Sequence, residues 1–278
     1  MRLACPVRGC GEPLEIDRET GRTAHCPRGH AFDRAKSGYW NLLQPQDRRS
    51  ANPGDSKEAA LARRRLFQAG QLDPLVKGLR QVIAGIRLPE GLAVLDVGCG
   101  EGSMLEALTR EFPGKEPHGT DISAPALDLA ARAFPAATWV VANADRTLPY
   151  ASGAFDLLLS LTARLNPPDA RRLLAPGGAL LVAVPGPDDL VELREAVLGE
   201  GVLRDRLERT LATLADDFEP IIEHAAVRWS ADLDATALAD LLASSYRGAR
   251  QSQRARAEAL EGLRVTMSRS LAVLRPRT

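Results

Sequence analysis

The sequence predicts an α/β protein with a Rossmann-like, mostly parallel sheet, helices on both faces, and a small cysteine-rich module at the N-terminus. From residue 92 onward, short apolar runs alternate with amphipathic segments, as in chains that build a parallel sheet. A glycine-rich turn directly follows the first of these runs. Three of the four cysteines lie within the first 45 residues, in a turn-rich region. A catalytic-type domain and a small separate module therefore account for the 278 residues.

The composition is that of a globular protein, with 45% hydrophobic residues and equal numbers of basic and acidic residues, 36 each. No apolar run approaches the roughly 18 residues of a membrane-spanning helix, so no membrane partner is expected. The first residues lack the apolar segment of a secretory signal. We therefore expect a cytoplasmic protein whose cysteines are thiols or metal ligands rather than disulfides.

The charge is unevenly distributed along the chain. Residues 1–75 and 247–278 carry an excess of basic side chains, whereas residues 76–246 are acidic. Basic ends are typical of a chain that holds a polyanion, although scattered surface arginines give the same pattern. Both interpretations remain open from charge alone.

Three regions are predicted along the chain. Residues 1–45 form the cysteine-rich module, residues 46–90 a helical linker, and residues 91–278 the Rossmann-like domain. Ser56 or Asp55 can cap a linker helix that runs to Gly70, and a second helix is expected from Asp73 to Ile86. The predicted parallel strands are residues 92–97, 116–121, 138–143, 155–161 and 178–184. A helix near residues 234–245 and a closing strand over residues 265–274 follow.

The glycine-rich turn, residues 96–102, reads DVGCGEG and joins a buried strand to a helix. Gly98 and Gly100 let the backbone turn tightly and approach a ligand closely. The helix start behind them offers free amide groups. Asp96 is placed to take a ligand ammonium group, and the first helical turn, with Ser103, Met104 and Leu105, should face the same part of the ligand.

Asp121 ends the next predicted strand, about 20 positions beyond the glycines. An acidic residue at this spacing can bind both hydroxyl groups of a ribose. A glycine-rich loop alone is weak evidence, because a structural turn explains many of them. The loop and Asp121 together indicate an adenosyl ligand.

A zinc site is predicted in the N-terminal module. Cys5 and Cys10 are separated by four residues, and Cys26 and His30 by three. Three thiolates and one imidazole form the ligand set of a closed structural zinc site, and metal binding would supply much of the folding energy of so small a module. The alternatives are three unrelated thiols, or His25 in place of His30.

Residues 96–102 resemble the first motif of the class I S-adenosylmethionine-dependent methyltransferases. Residues 142–145 (ANAD), 155–160 (FDLLLS) and 174–180 (LAPGGAL) match later motifs of that family in order. The resemblance implies a seven-stranded sheet, S-adenosylmethionine as the cofactor, and Asn143 and Ala144 facing its adenine.

A narrower resemblance covers the N-terminal part. Residues 26–43 (CPRGHAFDRAKSGYWNLL), 53–58 (PGDSKE) and 62–70 (ARRRLFQAG) resemble the RlmA-type methyltransferases that modify guanine N1 of bacterial large-subunit, 23S ribosomal RNA. In that family a zinc module recognises an RNA hairpin and a class I domain delivers the methyl group. The resemblance therefore implies ribosomal RNA as the partner.

The sequence differs from the usual pattern of this family at four places. The first cysteine pair is spaced more widely, and residues 161–164 (LTAR) differ from the usual Ile-Tyr-Ala-Pro. Leu72 stands where the family has a tyrosine against the cofactor, and Asp189 where a histidine is frequent. By position, Leu72 and Asp189 are candidate cofactor contacts, and Asp189 and Asp55 are candidate proton acceptors.

Two other functions remain open: methylation of a small molecule or protein, and a catalytically silent RNA-binding protein that retains the cofactor. A homodimer is a further possibility.

Arg63, Arg64 and Arg65 are expected to place one or two side chains toward RNA. The others should pack the linker helix, because consecutive helical residues point in different directions.

Overall fold

The computed structural model describes residues 2–48, 50–89, 91–110, 116–199, 201, 203, 205–245 and 259–277. Its N-terminal module contains a small antiparallel sheet of β1 (Glu15–Ile16), β2 (Thr23–His25) and β3 (Ala31–Asp33). Two turns precede β1 and β3 and carry the four predicted zinc ligands. No helix in the described part of the chain is long and apolar enough to cross a membrane.

The linker forms a 3-10 turn (Pro45–Asp47) and two helices, α1 (Lys57–Gln68) and α2 (Asp73–Ala84). The Ser56 hydroxyl accepts a hydrogen bond from the Ala59 N–H at 3.2 Å, so Ser56 rather than Asp55 caps α1. Both helices end two residues earlier than the sequence predicts.

A central sheet of eight strands carries the site. Its members in chain order are β4 (Trp40–Asn41), β5 (Ala93–Val97), β6 (Glu116–Asp121), β7 (Thr138–Val141), β8 (Phe155–Leu161), β9 (Leu174–Pro185), β10 (Phe218–Asp234) and β11 (Gly262–Pro276). The spatial order is β10-β11-β9-β8-β5-β6-β7-β4. All neighbours are parallel except β11, which pairs antiparallel with both β9 and β10.

The described helices of this domain lie between and beside the strands. They are α3 (Ser103–Arg110), α4 (Ala124–Ala133), α5 (Pro167–Leu173), α6 (Val191–Leu198), α7 (Leu207–Leu214) and α8 (Ala235–Ser245). Every residue of β5 is buried, because helices cover both faces of a parallel sheet. The order of the parallel strands reverses between β5 and β8, and ligands bind at such switch points.

The sheet has one strand more than the predicted seven. Residues of the N-terminal module supply it: Trp40 of β4 pairs with Val140 of β7. The Leu42 N–H extends the pairing by donating to the Val141 carbonyl at 3.1 Å. A two-residue strand is too short to be recognised from periodicity, and only the edge of β7 makes it a strand.

The N-terminal module shares a core with the Rossmann-like domain. Leu3, Leu14 and Trp40 of the module belong to the same buried cluster as Leu95 and Val97 of β5. At the N-terminus the Ala4 N–H donates to the Pro149 carbonyl at 2.9 Å. Because the module is too small to bury its apolar residues alone, it uses the edge of the sheet.

Candidate active site and metal centre

The turn after β5 forms a cradle that only glycine can build. Gly98, Gly100 and Gly102 have φ values of 74°, 57° and 84°, a region that favours glycine. A Cβ on Gly98 would overlap the Cβ of Ala163, which follows β8. The backbone of the loop can therefore lie directly against a ligand.

Replacing Gly98 by alanine is expected to weaken both folding and cofactor binding. The positive φ costs roughly 1–3 kcal/mol for a non-glycine residue, and the overlap with Ala163 adds to it. Thermal unfolding and cofactor titration of Gly98→Ala measure the two effects. The control is Gly177→Ala, which also has a positive φ (79°) but no atom within 4 Å of the added Cβ. Equal loss of cofactor affinity in both variants would contradict the cradle.

A cavity of about 630 Å³ opens at the carboxyl ends of β5, β6, β8 and β9. This volume is in the usual range for small-molecule sites. Eight of the residues predicted as functional line it: Asp55, Leu72, Asp96, Gly98, Gly100, Met104, Asp121 and Asp189. The tertiary structure therefore brings the linker, the glycine-rich loop and the segment after β9 to one place.

Asp96 is the most deeply buried acid among the described lining residues of this cavity. Its side chain is only 2% exposed, and its Oδ1 has no hydrogen-bond partner in the described part of the chain. Burial, with a smaller effect of nearby Asp121, raises its pKa to about 7. A cationic ligand group would satisfy the orphaned oxygen and restore the charged form, so the residue fits a bound ammonium.

Asp121 supports the glycine-rich loop from the end of β6. Its Oδ2 accepts a hydrogen bond from the Gly100 N–H at 2.9 Å, and its Oδ1 accepts one from the Ser123 N–H at 2.8 Å. Burial raises the pKa of Asp121, partly offset by these bonds and by Arg63. Each carboxylate oxygen keeps a lone pair for a ligand hydroxyl.

Four predicted contacts lie outside the lining of the cavity. Leu105 is fully buried in the core, and the Ser103 hydroxyl donates to Glu101 at 2.6 Å. Asn143 donates from its Nδ2 to the Asp47 carbonyl at 2.8 Å, and Ala144 packs against the core. Asn143 therefore fixes the loop after β7 to the linker.

The two candidate proton acceptors both have partners. Asp189 is 6% exposed, and its Oδ1 accepts from the Ser268 N–H at 2.9 Å and forms an ion pair with Arg269 at 2.7 Å. Asp55 forms an ion pair with Arg63 at 2.8 Å. Both residues line the cavity.

The three linker arginines all have partners within the protein. Arg63 also donates to the Ser244 carbonyl at 3.1 Å and approaches Gly100. Arg64 pairs with buried Glu101 at 2.9 Å, and Arg65 with Asp240 at 2.5 Å. These pairings favour the packing alternative over RNA contact. Their acidic partners are 8 to 175 residues away, so no local pattern could have indicated them.

Cys5, Cys10, Cys26 and His30 form a four-ligand cluster. Their ligand atoms all lie within 4.8 Å of one another. The Sγ atoms of Cys5 and Cys26 lie 3.4 and 3.3 Å from His30 Nδ1, and those of Cys10 and Cys26 are 3.8 Å apart. Tetrahedral zinc with Zn–S bonds of about 2.3 Å requires such separations. The residues fit zinc, and His30 rather than His25 completes the set.

Comparison with known proteins finds relatives of both the Rossmann-like domain and the N-terminal module. Residues 94–178 match a family described as "Methyltransferase domain", and residues 3–51 match one described as "RlmA, N-terminal". A 23S rRNA (guanine(748)-N(1))-methyltransferase of Streptomyces fradiae is 38% identical over 99% of this chain and 96% of its own length. A Micromonospora griseorubida protein, provisionally named a 23S rRNA (guanine-N(1)-)-methyltransferase, is 37% identical over 78% of this chain and 77% of its own.

A solved structure shares the fold. The YcgJ protein of Bacillus subtilis superposes with a TM-score of 0.50 at 13% identity, covering 73% of this chain and 99% of that one. The sheet order, the glycine cradle and the orphaned Asp96 define the chain as a class I, S-adenosylmethionine-dependent methyltransferase with a zinc-binding N-terminal module. By its full-length match, the chain belongs to the RlmA-type family of 23S rRNA guanine-N1 methyltransferases.

Proposed function

We propose that this protein methylates N1 of a guanine in a hairpin of large-subunit ribosomal RNA. The full-length similarity to the Streptomyces fradiae enzyme carries the proposal, because it spans both the zinc module and the methyltransferase domain. A cytoplasmic location and a homodimer stay predictions from the sequence. The boundaries at residues 45 and 90 are proposed as the limits of the linker.

The cavity supports a definite set of cofactor contacts. Asp96 would bind the ammonium group of the methionine moiety, and Arg63, which lies over Gly100, its carboxylate. Asp121 would hold the ribose hydroxyls, and Asn143 and Ala144 would border the adenine. Met104 and Leu72 would supply apolar contacts, with Ser103 and Leu105 holding the helix behind the loop.

When bound, S-adenosylmethionine supplies a methyl group already activated by its sulfonium, so the protein mainly positions the attacking nitrogen. Guanine N1 carries a proton, which must leave as the nitrogen reacts. Asp189 and Asp55 are the proposed acceptors, because both line the cavity. Arg269 and Arg63 hold these carboxylates in place through their ion pairs.

A small-molecule substrate is the second candidate. A trans-aconitate 2-methyltransferase of Variovorax paradoxus is 32% identical, but over only 41% of this chain and 46% of its own length. That match is too short to include both the zinc module and the methyltransferase domain. A small-molecule substrate would therefore leave the zinc module without a role. An RNA substrate does give it one.

The direct test is methyl transfer to RNA. Purified protein with isotopically labelled S-adenosylmethionine is expected to label unmodified 23S ribosomal RNA at a single guanine, which mass mapping identifies as N1-methylated. Trans-aconitate in the same assay is expected to remain unlabelled. Labelling of trans-aconitate and not of RNA would favour the second candidate, and binding of both RNA and cofactor without transfer would indicate the catalytically silent protein.

Alanine variants of Arg63 and Arg65 should distinguish an arginine that binds the cofactor from one that only packs the linker helix. Arg63→Ala is expected to weaken S-adenosylmethionine binding about tenfold, since a charged hydrogen bond contributes roughly 1.5–3 kcal/mol. Arg65→Ala loses the ion pair with buried Asp240, but neither residue lines the cavity, so that affinity should stay unchanged. Calorimetry measures both. If the salt dependence of RNA binding, rather than cofactor affinity, changed in Arg63→Ala, the assignment to the cofactor would be wrong.

A further inference from the structure

A second chamber lies beside the cofactor cavity. It has a volume of about 270 Å³ and opens between the carboxyl ends of β8 and β9 and helix α7. The two spaces share five lining residues: Thr162, Ala163, Ala183, Pro185 and Arg206. The two spaces are therefore adjacent, with these residues between them.

The chamber has mostly apolar walls, with threonine side chains of α7 among its lining. Leu165, Val182, Val184 and Leu214 line it, and Thr210 and Thr213 of α7 contribute their side chains from one side. No carboxylate or histidine is among its described lining residues. A flat, neutral ring with polar edges suits such apolar walls.

Arg206 is the one charged residue among those described in the lining of the chamber. It is exposed at the start of α7, and the described part of the chain provides no ion-pair partner for it. The other arginines of the cofactor cavity are engaged: Arg63 by Asp55, Arg269 by Asp189, and Arg194 by the Asp189 carbonyl. An unpaired guanidinium at the mouth suits a phosphate.

The partition between the two spaces is a constrained turn after β8. Thr162 has a φ of 69°, which is rare for a β-branched residue. Its N–H donates to the Ala183 carbonyl at 2.8 Å, and Ala163 packs against Gly98 of the cofactor cradle. The same turn thus contacts the glycine-rich loop on one side and the chamber on the other.

We propose that the second chamber holds the flipped-out guanine of the RNA substrate and that Arg206 binds a phosphate next to that nucleotide. This inference rests on the proposed RNA methyltransferase function and names the pocket for its substrate. A base inside a duplex must leave the stack to reach the cofactor, and an enclosed pocket receives it. The apolar walls contact the faces of the base, and one edge of it lies at the residues that the chamber shares with the cofactor cavity.

The first experiment fills the chamber. Thr213 is exposed on α7, so Thr213→Trp can fold while its side chain covers the opening. The matched control is Glu208→Trp, an exposed position on the same helix that lines neither space. In Thr213→Trp, kcat/KM for unmodified 23S ribosomal RNA should fall at least tenfold, with the Kd of S-adenosylmethionine within twofold of wild type. Glu208→Trp should match wild type in both.

The second experiment tests the cation. Arg206→Ala should raise the KM for 23S ribosomal RNA about tenfold. It should also flatten the log–log salt dependence of RNA binding by roughly 0.7–0.9, the contribution of one phosphate contact. Arg209→Ala, an exposed arginine of α7 outside both linings, is the control and should retain the wild-type KM.

The outcomes distinguish failure of the pocket assignment from failure of the proposed function. If wild type methylates 23S ribosomal RNA and Thr213→Trp does so equally well, the pocket assignment is overturned while the proposed function stands. If wild type transfers no methyl group to RNA but binds S-adenosylmethionine, the proposed function fails and the pocket assignment with it. Equal effects of Arg206→Ala and Arg209→Ala would refute the specific phosphate contact.

Discussion

Cys26→Ala is expected to abolish zinc binding and to unfold residues 1–45. Structural zinc sites contribute roughly 10–16 kcal/mol of apparent binding free energy, which is comparable to the whole stability of a domain. Because Leu3, Leu14 and Trp40 share a core with β5, the loss should also destabilise the methyltransferase sheet. We expect the melting midpoint of the full chain to fall by on the order of 10 °C.

Elemental analysis and thermal unfolding of the purified chain measure both effects. His25→Ala is the matched control, since His25 lies exposed on β2 and outside the ligand cluster. It should keep one zinc per chain and the wild-type melting midpoint. Retention of stoichiometric zinc in Cys26→Ala, or loss of zinc in His25→Ala, would contradict the ligand set.

Asp96→Asn is expected to raise the Kd of S-adenosylmethionine by about 10- to 100-fold. Asparagine preserves the shape of the side chain but removes the negative charge that would bind the ligand ammonium, an interaction of roughly 1.5–3 kcal/mol. Calorimetry measures the change. Asp128→Asn, which loses an exposed pair with Arg132 outside the cavity, is the control and should bind as wild type does.

The same residue predicts a pH dependence. The pKa of Asp96 is raised to about 7 by burial, so its carboxylate is protonated below that pH in the ligand-free protein. A cation binds the ionised form, so affinity should level off just above pH 7 and fall toward tenfold per pH unit below it. Asp96→Asn should bind weakly and without this dependence. A wild-type affinity that is flat from pH 5 to pH 8 would place the ammonium elsewhere.

The sequence by itself determined the sheet and the cofactor loop. The predicted bounds of β6 and β8 match the structure. For β8 the reason is burial, which leaves a nearly continuous apolar run in the sequence. Gly98, Gly100 and Asp121 were predictable for a related reason. Their spacing along one strand-helix-strand unit sets their geometry before any distant contact forms.

The zinc ligands could also be predicted from their spacing, since each pair lies within a single turn. Of the site residues predicted from family resemblance, only some line the cavity. Leu72 and Asp189 do line the cavity, whereas Asn143 and Ala144 lie beside it and remain proposals for adenine contact. Resemblance identifies a loop in the chain, but packing decides which of its side chains face the ligand.

Only the tertiary structure decided what the linker and the module do. One or two of Arg63, Arg64 and Arg65 were expected to face RNA, yet each has an acidic partner, and Glu101 and Asp240 come from distant parts of the chain. The module looked independent, yet Trp40 joins the central sheet as an eighth strand. Ion pairs and edge-strand pairing join residues far apart in sequence, so they leave no periodic signal. They arise only once the sheet has brought those residues together.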